Sequence, residues 1–77
     1  MKLHLIVIGN EVFFDIDGTE TLKQIRNRVL YEGSFRASAV ETWEIRTERG
    51  SPIDINDLAA LYVNQVLYLN PAPGYSG

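Results

Sequence analysis

The run Phe13-Phe14-Asp15-Ile16-Asp17-Gly18-Thr19 has residue types and spacing that could do covalent chemistry. Two aspartates separated by one residue, after an apolar stretch and before Gly-Thr, suit phosphoryl transfer. The first carboxylate attacks phosphorus, the second moves the proton, and a Mg²⁺ ion bridges them. That chemistry also needs a distant lysine, a second acidic pair and a parallel α/β sheet behind the loop, more than 77 residues supply. The run therefore reads as the outward face of a strand carrying Asp15 and Asp17, with Gly18 marking a turn. It does not fit a calcium loop, because the glycine comes too early and the twelfth position lacks a glutamate. His4 stands without a cysteine and with only scattered serines, so it reads as a partly exposed strand histidine rather than a catalytic base.

The totals narrow the classes further. The chain has length for one domain, no cysteine for disulfides or thiolate metal sites, and 45% hydrophobic residues to build a core. A net charge of −3 with no Lys/Arg run speaks against a nucleic-acid binder. The apolar stretches fall short of the roughly 20 residues of a membrane span, and the N-terminus lacks a signal-cleavage pattern. A cytoplasmic protein is the expectation.

These residues must be positioned by short elements. Residues 2–8 and 11–17 form two β-rich runs around Gly9-Asn10, a favourable hairpin turn. Pairing Val7 with Val12, Leu5 with Phe14 and Leu3 with Ile16 makes one apolar face. The other face then pairs Lys2 with Asp17, His4 with Asp15 and Ile6 with Phe13. Thr21-Leu22-Lys23-Gln24 is a capping box that opens a helix over 22–32, with Leu22, Ile25 and Val29 inward, Arg26 largely off the stripe and Gly33 as its stop. Residues 34–40 form a loop. A third strand runs over 41–48 with Trp43 and Ile45 on one face, Arg49-Gly50 turns the chain, and Pro52 begins a short fourth strand. Asn56 caps a helical turn carrying Leu58, Leu61 and Tyr62, and a last strand covers 65–70. Residues 71–77, with two prolines and two glycines, form a flexible tail beyond a domain over 1–70.

This order of elements, with the Thr21-Leu22 helix opening and the Leu67-Tyr68-Leu69 strand, resembles ubiquitin and the β-grasp fold from end to end. It is most similar to bacterial ubiquitin-like proteins encoded beside an activating enzyme, a conjugating enzyme and a JAB-type peptidase. The resemblance implies an α+β mixed sheet of order 2-1-5-3, with strands 1 and 5 parallel at its centre, strand 4 peripheral and the helix across one face. The core comprises Leu3, Leu5, Val7, Phe14, Ile16, Leu22, Ile25, Val29, Trp43, Ile45, Leu58, Leu67 and Leu69, with Val66 and Tyr68 as the alternative inward pair of the last strand. It also implies a modifier rather than an enzyme. Gly77, approached through Ser76, supplies a carboxylate that the activating enzyme adenylates with ATP and Mg²⁺, and no cofactor belongs to the chain itself. Ser76-Gly77 stands where such modifiers usually carry two glycines. Lys2 and Lys23 are the only lysines available as acceptors.

Ile6 and Phe13 fall on the outer hairpin face, with His4 and Tyr68 beside them. A contiguous apolar patch there is expected to bind a protein partner or a second copy. Two other functions fit the same pattern: a non-conjugated interaction module, and a sulfur carrier working through a terminal thiocarboxylate.

Overall fold

Apolar residues at every second position of Lys2–Val7 bury Leu3, Leu5 and Val7 and turn His4 and Ile6 to the opposite face. The computed structural model describes residues 1–32 and 39–73. In it, strand β1 (Lys2–Val7) and strand β2 (Asn10–Asp15) form a hairpin, helix α1 spans Leu22–Glu32, and strands β3 (Trp43–Thr47) and β4 (Val66–Pro71) complete a four-stranded mixed sheet of order β2-β1-β4-β3. Short 3₁₀ turns cover Val40–Thr42 and Ala59–Tyr62. β1 is parallel to β4, and both outer pairings are antiparallel.

The expected five-stranded 2-1-5-3 sheet is thus a four-stranded one. The fourth strand shrinks to an isolated bridge between Pro52 and Arg46, supported by a bond from Ile53 N–H to the Ile45 carbonyl. Pro52 takes the non-hydrogen-bonded position between the Thr47–Ser51 and Ile53–Ile45 bonds, so its missing N–H faces away from β3 and is tolerated there.

The hairpin register also differs from the expectation. Val7 pairs with Asn10, Leu5 with Val12, Leu3 with Phe14, His4 with Phe13 and Lys2 with Asp15. The turn residues are Ile8 and Gly9, at φ 47° and 79°, rather than Gly9 and Asn10. The shift is by two positions, so every side chain keeps its face and the apolar pattern cannot tell the two registers apart. The observed register gains a pair beyond Lys2, with Ile16 N–H donating to the Met1 carbonyl at 2.8 Å. The Asn10 amide also donates to the carbonyls of Val7 and Ile8. These bonds hold a β-branched residue in the left-handed region, where it is strained.

Helix α1 begins as its capping box requires. Thr21 Oγ1 accepts from Gln24 N–H, and Gln24 Oε1 accepts from Thr21 N–H. The next two free N–H groups of the helix start are also paired: Leu22 donates to the Asp57 carbonyl and Lys23 to that of Ile55. The inward stripe holds Leu22, Ile25, Val29 and Leu30, and also Arg26, which is 2% exposed. Arg26 Nη1 donates to the Trp43 carbonyl and Nε to Asn27 Oδ1. Burial pushes its guanidinium below the ordinary range, partly offset by Glu41 and Tyr31. The placing of Arg26 off the stripe is therefore corrected: its charged head reaches an orphan carbonyl at the entry to β3.

The core gathers the inward residues of β1, α1, β3 and β4 with Ile16, Val40 and Ala59. Two expected members differ. Phe14 is half-buried at the sheet edge beneath Arg28, and Leu58 is exposed because the 3₁₀ turn points Ala59 inward instead. β4 runs to Pro71, one residue beyond the expected end, and Ala72 N–H continues to the Thr42 carbonyl. Proline is accepted there because Trp43–Pro71 is a non-hydrogen-bonded pair of the β3 ladder, and the β1 pairing has already ended at Leu69. The expected helix stop at Gly33, the loop up to residue 38 and tail residues 74–77 lie outside the described residues.

Ile8 is exposed, so Ile8→Asn removes the backbone strain without emptying the core. Urea denaturation is expected to show a gain of about 1 kcal/mol. Thr21→Ala, which strips the helix cap, is expected to lose about 1 kcal/mol.

Candidate outer-face binding site

The sheet face opposite the helix carries the outward residues of all four strands. The cross-strand registers place Glu11, Ile6, Tyr68 and Arg46 in one row, and Phe13, His4 and Val66 in the next. Ile6, Val66 and Tyr68 are half-buried by one another, while Phe13 remains 56% exposed at the edge. The His4 ring stacks on Phe13 at a centroid distance of 4.3 Å. The four residues expected to form a surface, His4, Ile6, Phe13 and Tyr68, thus share one face and are neighbours. Val66 belongs with them and was missed. Period-two spacing from Tyr68 signals it, but its contact with His4 depends on the long-range parallel register.

Charges border this face. Lys2 Nζ lies 3.4 Å from Asp15 Oδ2, both well exposed. Arg46 donates to Glu44 Oε1 and to the Gly50 carbonyl, each at 2.6 Å. His4 pairs with Phe13 rather than with the expected Asp15, because the two-residue shift hands Asp15 to Lys2. Its Nε2 sits 3.3 Å from Glu11 Oε2, close enough for an ion pair when the imidazole is charged. The contact lacks hydrogen-bond alignment, so Nε2 is shielded from solvent without a partner. A shallow depression of about 350 Å³ lies between the His4–Phe13 stack and the Val63–Val66 segment.

The Asp-x-Asp-Gly-Thr run has a structural use. Asp17 Oδ1 accepts from the Thr19 hydroxyl at 2.6 Å and from the Thr19 N–H at 2.7 Å, closing a tight loop. Glu20 locks it with one oxygen on Asp17 N–H and the other on Arg28 Nη1. Arg28 in turn lies 5.0 Å over the Phe14 ring. Among the described residues, no group of three or more His, Asp or Glu side chains is placed to hold a metal ion. No helix among them is long and apolar enough to cross a membrane.

The two lysines stand apart. Lys2 borders the outer face, whereas Lys23 is exposed on the first turn of α1. Gly77 and Ser76 lie outside the described residues.

The Thr19 hydroxyl, followed by the Thr19 N–H, holds the Asp17 carboxyl below its ordinary value. A depressed carboxyl contributes stability above its unfolded pKa, near 4, and that contribution disappears as pH falls through the folded value. Thr19→Val is therefore expected to raise the Asp17 pKa in an NMR titration and flatten this acid limb of the stability curve. An unchanged Asp17 titration would show that the hydroxyl does not set it. No model of a known protein family matches the chain, and no curated protein matches it in sequence.

Proposed function

We propose that this chain is a ubiquitin-like β-grasp domain that meets protein partners through its outer sheet face and serves as a protein modifier. The observation that carries the reading is the contiguous set Ile6, Val66, Tyr68 and the His4–Phe13 stack, on the side of the sheet away from the helix. Half-buried apolar side chains ringed by charge have the make-up of an interface: an apolar centre that excludes water and a polar rim that sets orientation. A four-stranded mixed sheet with one helix across its inner face is compatible with the β-grasp family.

In the modifier role the protein contributes an acyl group and its partners contribute the catalytic groups. An activating enzyme joins the Gly77 carboxylate to AMP with release of pyrophosphate from ATP. A cysteine of that enzyme then displaces AMP to form a thioester, and a conjugating enzyme passes the acyl group to an amine or hydroxyl. A JAB-type peptidase reverses the linkage. Glycine suits the terminal position because it has no Cβ to block a narrow channel. Lys2 and Lys23 are candidate acceptors for chains of the protein on itself. These steps belong to the cytoplasm of a bacterial cell.

A non-conjugated interaction module is the second reading, favoured by the same outer face, which needs no free terminus. A sulfur carrier would use the same carboxylate as a thiocarboxylate.

Incubation with an activating enzyme of the kind this reading requires, ATP and Mg²⁺ is expected to give an adduct that dithiothreitol cleaves. Deleting Gly77 should abolish it, and Gly77→Ala should weaken it sharply. An undiminished adduct from the deletion variant would leave the interaction module as the better reading. Phe13→Glu and Ile6→Glu are expected to leave the thermal melt nearly unchanged and to abolish partner binding. Unfolding by either one would place that residue in the core.

A further inference from the structure

The free edge of β2 presents a second surface, defined by backbone rather than side chains. Met1 and Ile16 exchange both backbone bonds, at 2.8 and 3.3 Å, which fixes the phase of the hairpin ladder. Counting inward by twos, the hydrogen-bonded pairs are Leu3–Phe14, Leu5–Val12 and Val7–Asn10. The N–H and C=O groups of Glu11, Phe13 and Asp15 therefore point away from β1, off the edge of the sheet. Among the described residues, one of these groups is engaged: the Asp15 carbonyl accepts from Arg28 Nη2 at 3.4 Å, which closes the open edge at that end.

Side chains select what could pair there. The outward residues of this strand read acid, aromatic, acid, namely Glu11, Phe13 and Asp15. Lys2 and His4 temper these charges, but they sit on β1, one strand further from any added segment. A second copy is a poor occupant. An antiparallel β2–β2 pairing centred on Phe13 sets Glu11 against Asp15 twice, and like charges directly opposed are destabilising. The geometry points to an extended segment of a partner protein that adds as a fifth strand on β2, with basic residues at alternate positions around an apolar one. Its intervening residues would be apolar, lying beside half-buried Val12 and Phe14. Main-chain bonds supply affinity in such strand addition, and the alternating side chains supply selectivity. This edge is independent of Gly77 and uses backbone groups that the outer-face reading does not, although Phe13 belongs to that face and Glu11 and Asp15 border it.

The test uses the full chain and a fluorescein-labelled peptide, Ser-Lys-Val-Leu-Val-Lys-Ser, with a Glu-flanked counterpart. Fluorescence anisotropy is expected to show binding of the Lys peptide. Hydrogen exchange is expected to show new protection at the Glu11, Phe13 and Asp15 amides. Joint Glu11→Lys and Asp15→Lys replacement should weaken that binding roughly tenfold or more and favour the Glu peptide, about 1.4 kcal/mol per tenfold change. Glu11→Pro deletes an edge donor that the sheet does not use, and should lower binding with the thermal melt retained. The proposal is overturned if neither peptide binds or if both bind wild type equally. Binding that leaves the edge amides unprotected would also overturn it. So would edge amides already protected in peptide-free protein that sediments as a dimer, because a second copy would then be the occupant.

Discussion

The parallel pairing of β1 with β4 is the constraint on which the rest of the molecule depends. Leu5 lies opposite Leu67 and Val7 opposite Leu69, and all four side chains are fully buried. Two parallel strands cannot be joined by a tight turn, so the chain between them must make a crossover. That crossover contains α1, which covers the inner face, and β3, which pairs with β4 from the far side. β2 takes the remaining edge of β1. The same pairing creates the outer face, because it brings His4 beside Val66 and Ile6 beside Tyr68.

Polar groups then fix how the crossover seats on the sheet. The start of α1 is held by carbonyls from residues 55 and 57, so the segment before the Ala59–Tyr62 turn serves as part of the helix cap. Tyr62 closes this segment from the other end, its hydroxyl donating to Asp57 at 2.7 Å, a bond that heads the causes raising its pKa. Arg26 ties the middle of the helix to β3, and Arg28 with Glu20 ties it to the loop leaving β2. Aliphatic packing leaves the rotation of a short helix loosely set. Directed bonds at its start and along its middle specify it.

Much of this was legible in the sequence because it is local. The capping box spans four residues, and the extent of α1, Leu22–Glu32, follows from it and from the helical stripe. Alternation in Lys2–Val7 and Val66–Pro71 gave the buried faces. What escaped depends on information that local patterns lack. Alternation has period two and cannot detect a register shift of two, so by itself it puts the turn one residue late and gives His4 the wrong neighbour. Arg26 looked solvent-facing because its partner is a backbone carbonyl at position 43, invisible to side-chain patterning. A short helical turn carrying Leu58 suggests that it points into the core, whereas the 3₁₀ geometry turns Ala59 inward instead. In the outer face, His4, Ile6, Phe13 and Tyr68 were legible by strand parity, while Val66 and the charged border needed the register. The open edge of β2 follows from the ladder phase, which the Met1–Ile16 pair reveals.

Central parallel strands also determine how the molecule bears mechanical load. Tension applied before Lys2 and after Pro71 pulls β1 and β4 in opposite directions along their shared axis. The hydrogen bonds between them lie across the pull, so they stretch together rather than one after another. Loading the hairpin instead, through Met1 and Ile16, would open its antiparallel ladder a pair at a time from the free end. The same fold is therefore stiff when drawn between its terminal strands and yielding when peeled at β2. A protein threaded from its C-terminal side by an unfolding motor would meet the shear resistance first.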